Sequence, residues 1–196
     1  VIASHCGYSG MRTLDAHIDA IQQGREKDDL RIVRDGRHFY AWSINMCDED
    51  IRIIHRTRGL FGLSFDQRML GMHQSRKKHG RVEALQAIYN NICGVLEVIY
   101  QDPDLSDEEK RRAWDMITIG TDFDGYIDPI NGYPTNIELR LMAEDLANHF
   151  ERESKKSFAP ACLRDFDSTF TPETAVEQFA IGNAAAFVRR NYPEEN

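Results

Sequence analysis

Three residues are best suited by type and position to do chemistry: His5, Asp122 and Asp124. Each follows a short apolar run. His5 closes Val-Ile-Ala-Ser at positions 1 to 4, and the two aspartates flank Phe123 after Met-Ile-Thr-Ile-Gly-Thr at 116 to 121. A neutral imidazole suits Zn²⁺, although a lone histidine of this kind is more often structural than a ligand. In extended backbone the two carboxylates share one face, with Phe123 on the other; in a sharp turn they diverge. Together they could hold a cation, or one could serve as a base with a shifted pKa. The plainer reading is a solvated acidic turn, with Gly125 supplying the unusual dihedral. Arg12 is the nearest cation after His5. It could clamp a substrate carboxylate, and is equally at home exposed to solvent. A third apolar run, Leu60 to Phe65, leads to Ser64 and Asp66.

These residues need elements to position them. Three short hydrophobic runs, near residues 1–4, 60–65 and 116–121, predict buried parallel strands. Helical spacing separates them. Leu14, Ile18 and Ile21 predict a helix that Gly24 ends. Asp35-Gly36, between strand-prone runs in residues 30 to 44, predicts a β-hairpin that extends a loop over one face of the core. Asp48 is placed to cap a short helix carrying Ile51 and Ile54 inward, with Gly59 closing it. Residues 82 to 99 form the strongest amphipathic pattern of the chain. Ser106 and Glu109 make a capping box. Residues 136 to 152 predict a further helix. Thr171-Pro172 is a cap followed by a first-turn proline, and helical spacing then continues through Phe179 and Phe187. The order predicts an α/β fold with a parallel sheet, whose sites lie at the carboxyl ends of strands. All three strands lead into polar, chemically capable residues there.

The bulk properties narrow the class. The chain has 196 residues, 41% of them hydrophobic and 29% charged, so it can build a core within one domain or a large piece of one. A net charge of -8 disfavours nucleic-acid and anionic-membrane partners. The basic run Arg76, Lys77, Lys78 reads as a solvated loop. His73 and His79 beside it have no zinc spacing, and His17, His38, His55 and His149 read as surface or packing residues. Four cysteines occur without a CxxC pair, which favours reduced thiols and a cytoplasmic location. No run approaches a membrane span, and no signal peptide is visible. No serine-nucleophile elbow or phosphate loop is present. The chain opens on Val1 as if within a fold, and a complete (β/α)₈ barrel usually needs about 250 residues. We therefore expect a piece of a longer protein.

Three segments together resemble the renal (membrane) dipeptidase family, peptidase family M19, of the amidohydrolase superfamily. VIASHCG at 1–7 resembles the family strand that ends in a zinc-binding histidine, which implies His5 as a metal ligand. ITIGTDFDG at 117–125 resembles the G-x-D-F-D-G motif of strand eight. Its first aspartate contacts the substrate amine and takes part in proton transfer, which implies Asp122 as catalytic and puts Asp124 beside it on substrate. FAIGNAAAFVRR at 179–190 is similar to the closing G-G-N-x-x-R helix, with Asn183 as the matching asparagine. LFGLSF resembles strand seven. The likeness covers the C-terminal third to half of a family member.

The resemblance implies the C-terminal part of a (β/α)₈ TIM-type barrel, with residues 14–45 as an insertion. It implies zinc-dependent hydrolysis of dipeptides or similar small amides, through hydroxide activated by two Zn²⁺ in the intact parent. Arg12 is the first candidate for the substrate carboxylate, though closer to His5 than the family pattern, with Arg25 and Arg31 as competitors. The first-strand His-x-Asp, the bridging glutamate and a further histidine would lie upstream. This chain alone is thus expected to be inactive and largely metal-free. Open sheet edges would favour self-association or pairing with a missing N-terminal half. The alternatives are a non-catalytic binding or structural member of the same fold, and an unrelated α/β protein holding Mg²⁺ at Asp122 and Asp124.

Overall fold

The structure, a computed structural model, describes residues 1–27, 30–72 and 80–192. The expectations for His73, His79 and the basic run between them lie outside these residues. Among the described residues the fold is mixed α/β, with a three-stranded parallel sheet and helices packed on it. The strands are β1 (Ile2–Cys6), β4 (Leu60–Leu63) and β5 (Ile117–Ile119), in the order β1-β4-β5. All three predicted runs are therefore strands. However, β4 separates β1 from β5, so the strands leading to His5 and Asp122 are not neighbours.

Between β1 and β4 lie α1 (Leu14–Lys27), the antiparallel hairpin β2 (Arg31–Arg34) and β3 (Arg37–Tyr40), and α2 (Asp48–Arg56). The hairpin turns at Asp35-Gly36, both with positive φ, as Asp-Gly predicts. It does more than overhang the core. Phe39 is buried and packs edge-on against Tyr8 at 4.8 Å. Helix α1 runs through Gly24 to Lys27. Leu14 and Ile18 stay exposed, and the buried residue of its first turns is His17, whose Nε2 lies 3.1 Å from the Trp42 carbonyl.

The centre of the molecule is α3 (Arg81–Tyr100). It is buried almost all round from Ala84 to Ile99, so it is a core helix rather than the one-faced surface helix its spacing suggested. After it come α4 (Asp107–Arg111), capped by Ser106 and Glu109 as predicted, and a 3₁₀ turn at Arg112–Met116. Trp114 from that turn lies within 5.6 Å, centroid to centroid, of Phe150, Phe166 and Phe170. This aromatic cluster ties the 3₁₀ turn to α5 (Leu139–Ser154), and Tyr89 of α3 packs against the same Phe150 ring at 5.9 Å. The chain ends in α6 (Pro172–Glu177), a π turn at Gln178–Gly182 and α7 (Asn183–Asn191), one continuous helical run. Thr171 caps it by accepting from the Thr174 N–H. Asn183 ties it to the sheet, donating to the carbonyls of Trp114 (2.6 Å) and Ile117 (2.8 Å). No described helix is long and apolar enough to cross a membrane.

Candidate functional site at the carboxyl ends of the strands

His5 sits in an irregularity of β1. Ala3 pairs with Phe61 and Cys6 with Leu63, so three steps on β1 face two on β4. The extra residue is accommodated by His5 at φ 46, in the left-handed region. Such bulges re-aim a side chain and concentrate at sites, and the His5 side chain is exposed. The segment after it is fixed by two buried asparagines. Asn45 accepts from the Gly7 N–H (2.8 Å) while donating to the carbonyls of Tyr40 and Met69; Asn91 accepts from the Tyr8 N–H (2.9 Å). Cys6, beside His5, is buried, and burial pushes its thiol up to about 12, so it is an inert packing group.

Asp122 lies beyond β5 at φ 58. Its carbonyl accepts from the Gly125 N–H at 2.8 Å, closing a tight turn in which Asp122 and Asp124 are both exposed. The Asp122 carboxylate folds over this turn. A Cβ on Gly125 would stand 2.5 Å from its Oδ1, so any other residue there would displace the Asp122 carboxylate from this position. Phe123 points inward, edge-on to Phe65 at 5.7 Å. The turn geometry thus decides between the two readings of the aspartate pair. They belong to a sharp turn, not to one face of an extended strand.

Ser64 and Asp66, beyond β4, serve as scaffold. Ser64 Oγ accepts from the Asp66 N–H. Asp66 is buried and gripped by the Arg68 guanidinium through both oxygens. It also accepts from the Asp128 N–H at 3.4 Å, and the Gln67 N–H donates to the Asp128 carbonyl at 2.9 Å. Arg68 lies over the Trp42 ring, 5.3 Å from its centroid. This part-buried pair locks the loop after β4 to the loop carrying Asp122. Arg68 and Trp42 had no signal in the sequence beyond their types. Arg12 lies on the exposed link between β1 and α1, with no side-chain partner among the described residues.

Arg12, Asp122 and Asp124 therefore lie past the carboxyl ends of strands in one sheet, and His5 is the last residue but one of β1. A zinc centre needs three or four protein donors. Among the described residues no group of three or more His, Cys, Asp or Glu side chains could hold a metal ion. His5 and the two aspartates thus do not fit a complete zinc site by themselves. A cleft of about 590 Å³ lies at the other end of the sheet, lined by Gly59 and Met116, which precede β4 and β5. Comparison with known protein families, curated proteins and solved structures finds no match for this chain.

Proposed function

We propose that this chain carries the C-terminal portion of the active-site rim of a (β/α)₈ hydrolase acting on dipeptides or similar small amides. The observation that carries the reading is the backbone at His5 and Asp122. Two non-glycine residues at the carboxyl ends of parallel strands are held in left-handed conformation. Each costs about 1–3 kcal/mol, and such strain collects at functional sites. The motif resemblance gives the two residues their roles. His5 offers an exposed imidazole to a metal. Asp122 accepts a proton and holds the substrate amine, with Asp124 beside it. Arg12 pairs with the substrate carboxylate through its fork of N–H donors.

The two zinc ions of the reading supply an activated hydroxide when bound. Their remaining donors have to come from chain outside the residues described here. The same logic makes the exposed Val1 and Ile2 of edge strand β1 a surface for an N-terminal half or a second copy.

The test is hydrolysis of a dipeptide panel by the protein in its natural full length with added zinc. Asp122→Asn is expected to lower kcat by about 10²–10⁴-fold, with the zinc content unchanged. His5→Ala is expected to lower the zinc content itself. Wild-type turnover in Asp122→Asn removes Asp122 from the mechanism. A zinc-loaded protein that cleaves none of the panel favours the binding-module alternative.

A further inference from the structure

The cleft at the amino ends of β4 and β5 is unlike the rest of the molecule. It is lined by five guanidiniums: Arg52 and Arg56 of α2, Arg58 of the following turn, Arg112 of the 3₁₀ turn and Arg190 of α7. Three carboxylates share it, Asp102, Glu109 and Asp115, which leaves an excess of two positive charges. The chain as a whole carries -8. Concentrating cations in one concavity of an acidic protein focuses a positive field there.

Internal pairing does not account for this arrangement. Arg52 reaches Asp102 at 3.5 Å and Arg112 reaches Glu109 at 3.8 Å, both partly exposed. Such pairs contribute about 0–1 kcal/mol. Arg56 and Arg58 have no side-chain partner among the described residues. The Arg112 Nε is buried without a hydrogen-bond partner, and an unmet buried donor costs about 1–3 kcal/mol. The C-terminal ends of α2 and α7 favour nearby cations, which explains Arg56 and Arg190 but neither Arg58 nor Arg112. Arg190 is further aimed by its 2.6 Å bond to the Arg58 carbonyl, so α7 delivers a cation to a turn that already carries one. His55 sits among them with Nε2 2.9 Å from the Glu109 carbonyl.

From this geometry we propose that the cleft binds a small phosphate-bearing molecule. Guanidinium forks match phosphate oxygens two at a time, and an anion entering here meets donors from four elements at once. The site lies across the sheet from His5 and Asp122, so it is independent of the hydrolase reading.

Titration calorimetry of the chain tests this with pyrophosphate as probe, alongside citrate and vesicles containing phosphatidic acid. Pyrophosphate is expected to bind with one-to-one stoichiometry. Arg56→Ala and Arg112→Gln should each weaken it about tenfold, the loss of one charge-assisted contact. Arg140→Ala, 91% exposed on α5 away from the cleft, should leave it unchanged. Arg56 is exposed and unpaired, so its variant folds even if Arg112→Gln does not. Equal affinity in Arg56→Ala and wild type overturns the proposal. So does tighter binding of citrate, capture by vesicles without binding of free pyrophosphate, or no binding at all.

Discussion

Asp48 is buried in the first turn of α2, with both carboxylate oxygens engaged. Arg34 donates to Oδ1 at 2.8 Å and to Oδ2 at 3.1 Å, and the Tyr8 hydroxyl donates to Oδ1. Its type and place suggested a helix cap, but the N-cap is Cys47 and the capping carboxylate belongs to Asp50. Asp48 instead joins three segments: the hairpin, the end of β1 and α2. Burial, then the Asp48 charge, raises the Tyr8 hydroxyl well above its ordinary range, so it stays a donor at all working pH values. Removing one partner of a buried pair leaves the other charge uncompensated and costs about 3–5 kcal/mol, whereas apolar replacement of both is often near neutral. Asp48→Asn is therefore expected to lower the free energy of unfolding by about 3 kcal/mol in urea titration. The double variant Arg34→Met/Asp48→Leu should lose less than either single change. A double variant that loses as much as the worse of the single changes would show that the pair contributes net stability.

The end of α2 makes the corresponding point for an element. The helix was expected to close at Gly59. It closes at Thr57, and the left-handed residue after it is Arg58, at φ 51. Gly59 is needed for another reason: a Cβ there would stand 2.1 Å from the Val1 carbonyl, across which the sheet bond from the Leu60 N–H passes. A left-handed L-residue costs about 1–2 kcal/mol, and glycine returns about 0.5–1 of that in backbone entropy. Arg58→Gly should therefore stabilise by about 0.5–1 kcal/mol, seen as a Tm higher by about 2 °C. No rise would mean that the guanidinium makes a contact that offsets the strain. Strands, caps and the hairpin turn were legible because each rests on local spacing: the apolar runs, Ser106 with Glu109, Thr171 with Pro172, Asp35 with Gly36. Three features were not. The bulge at His5 depends on pairing with β4. The order β1-β4-β5 depends on packing of helices not adjacent in sequence. The arginine cleft draws on residues 52 to 190, whose proximity no local pattern encodes.

Across the whole molecule, three histidines set the acid limit of the fold. His17, His55 and His149 all have pKa values held below the ordinary 6.5, each chiefly because burial disfavours the charged ring. At His149 the geometry adds a reason. Its Nδ1 lies 2.6 Å from an Arg152 nitrogen and accepts from it, a bond that protonation would abolish. The three belong to α1, α2 and α5; His17 and His149 are buried, and His55 is half-buried in the wall of the arginine cleft. Because the folded pKa values are lowered, the unfolded chain takes up protons first. Stability is then full above pH 6.5 and falls as the pH drops through that value towards the folded pKa values. Each histidine contributes at most about 1.4 kcal/mol per pH unit within its window. Relief of self-repulsion on approaching the pI of 5.4 acts in the opposite sense, but at physiological salt charges more than about 8 Å apart are largely screened. The histidines should therefore win. Thermal melts at 0.15 M salt should show Tm falling from pH 7 to pH 5. A second decline is expected only below about 4.5, where the depressed helix-cap glutamates Glu109 and Glu138 protonate. His149→Phe, which keeps an aromatic ring against Tyr89, should make the first decline shallower and leave the second in place. A Tm independent of pH between 7 and 5 would mean that the His17 and His149 rings are hydrated rather than buried.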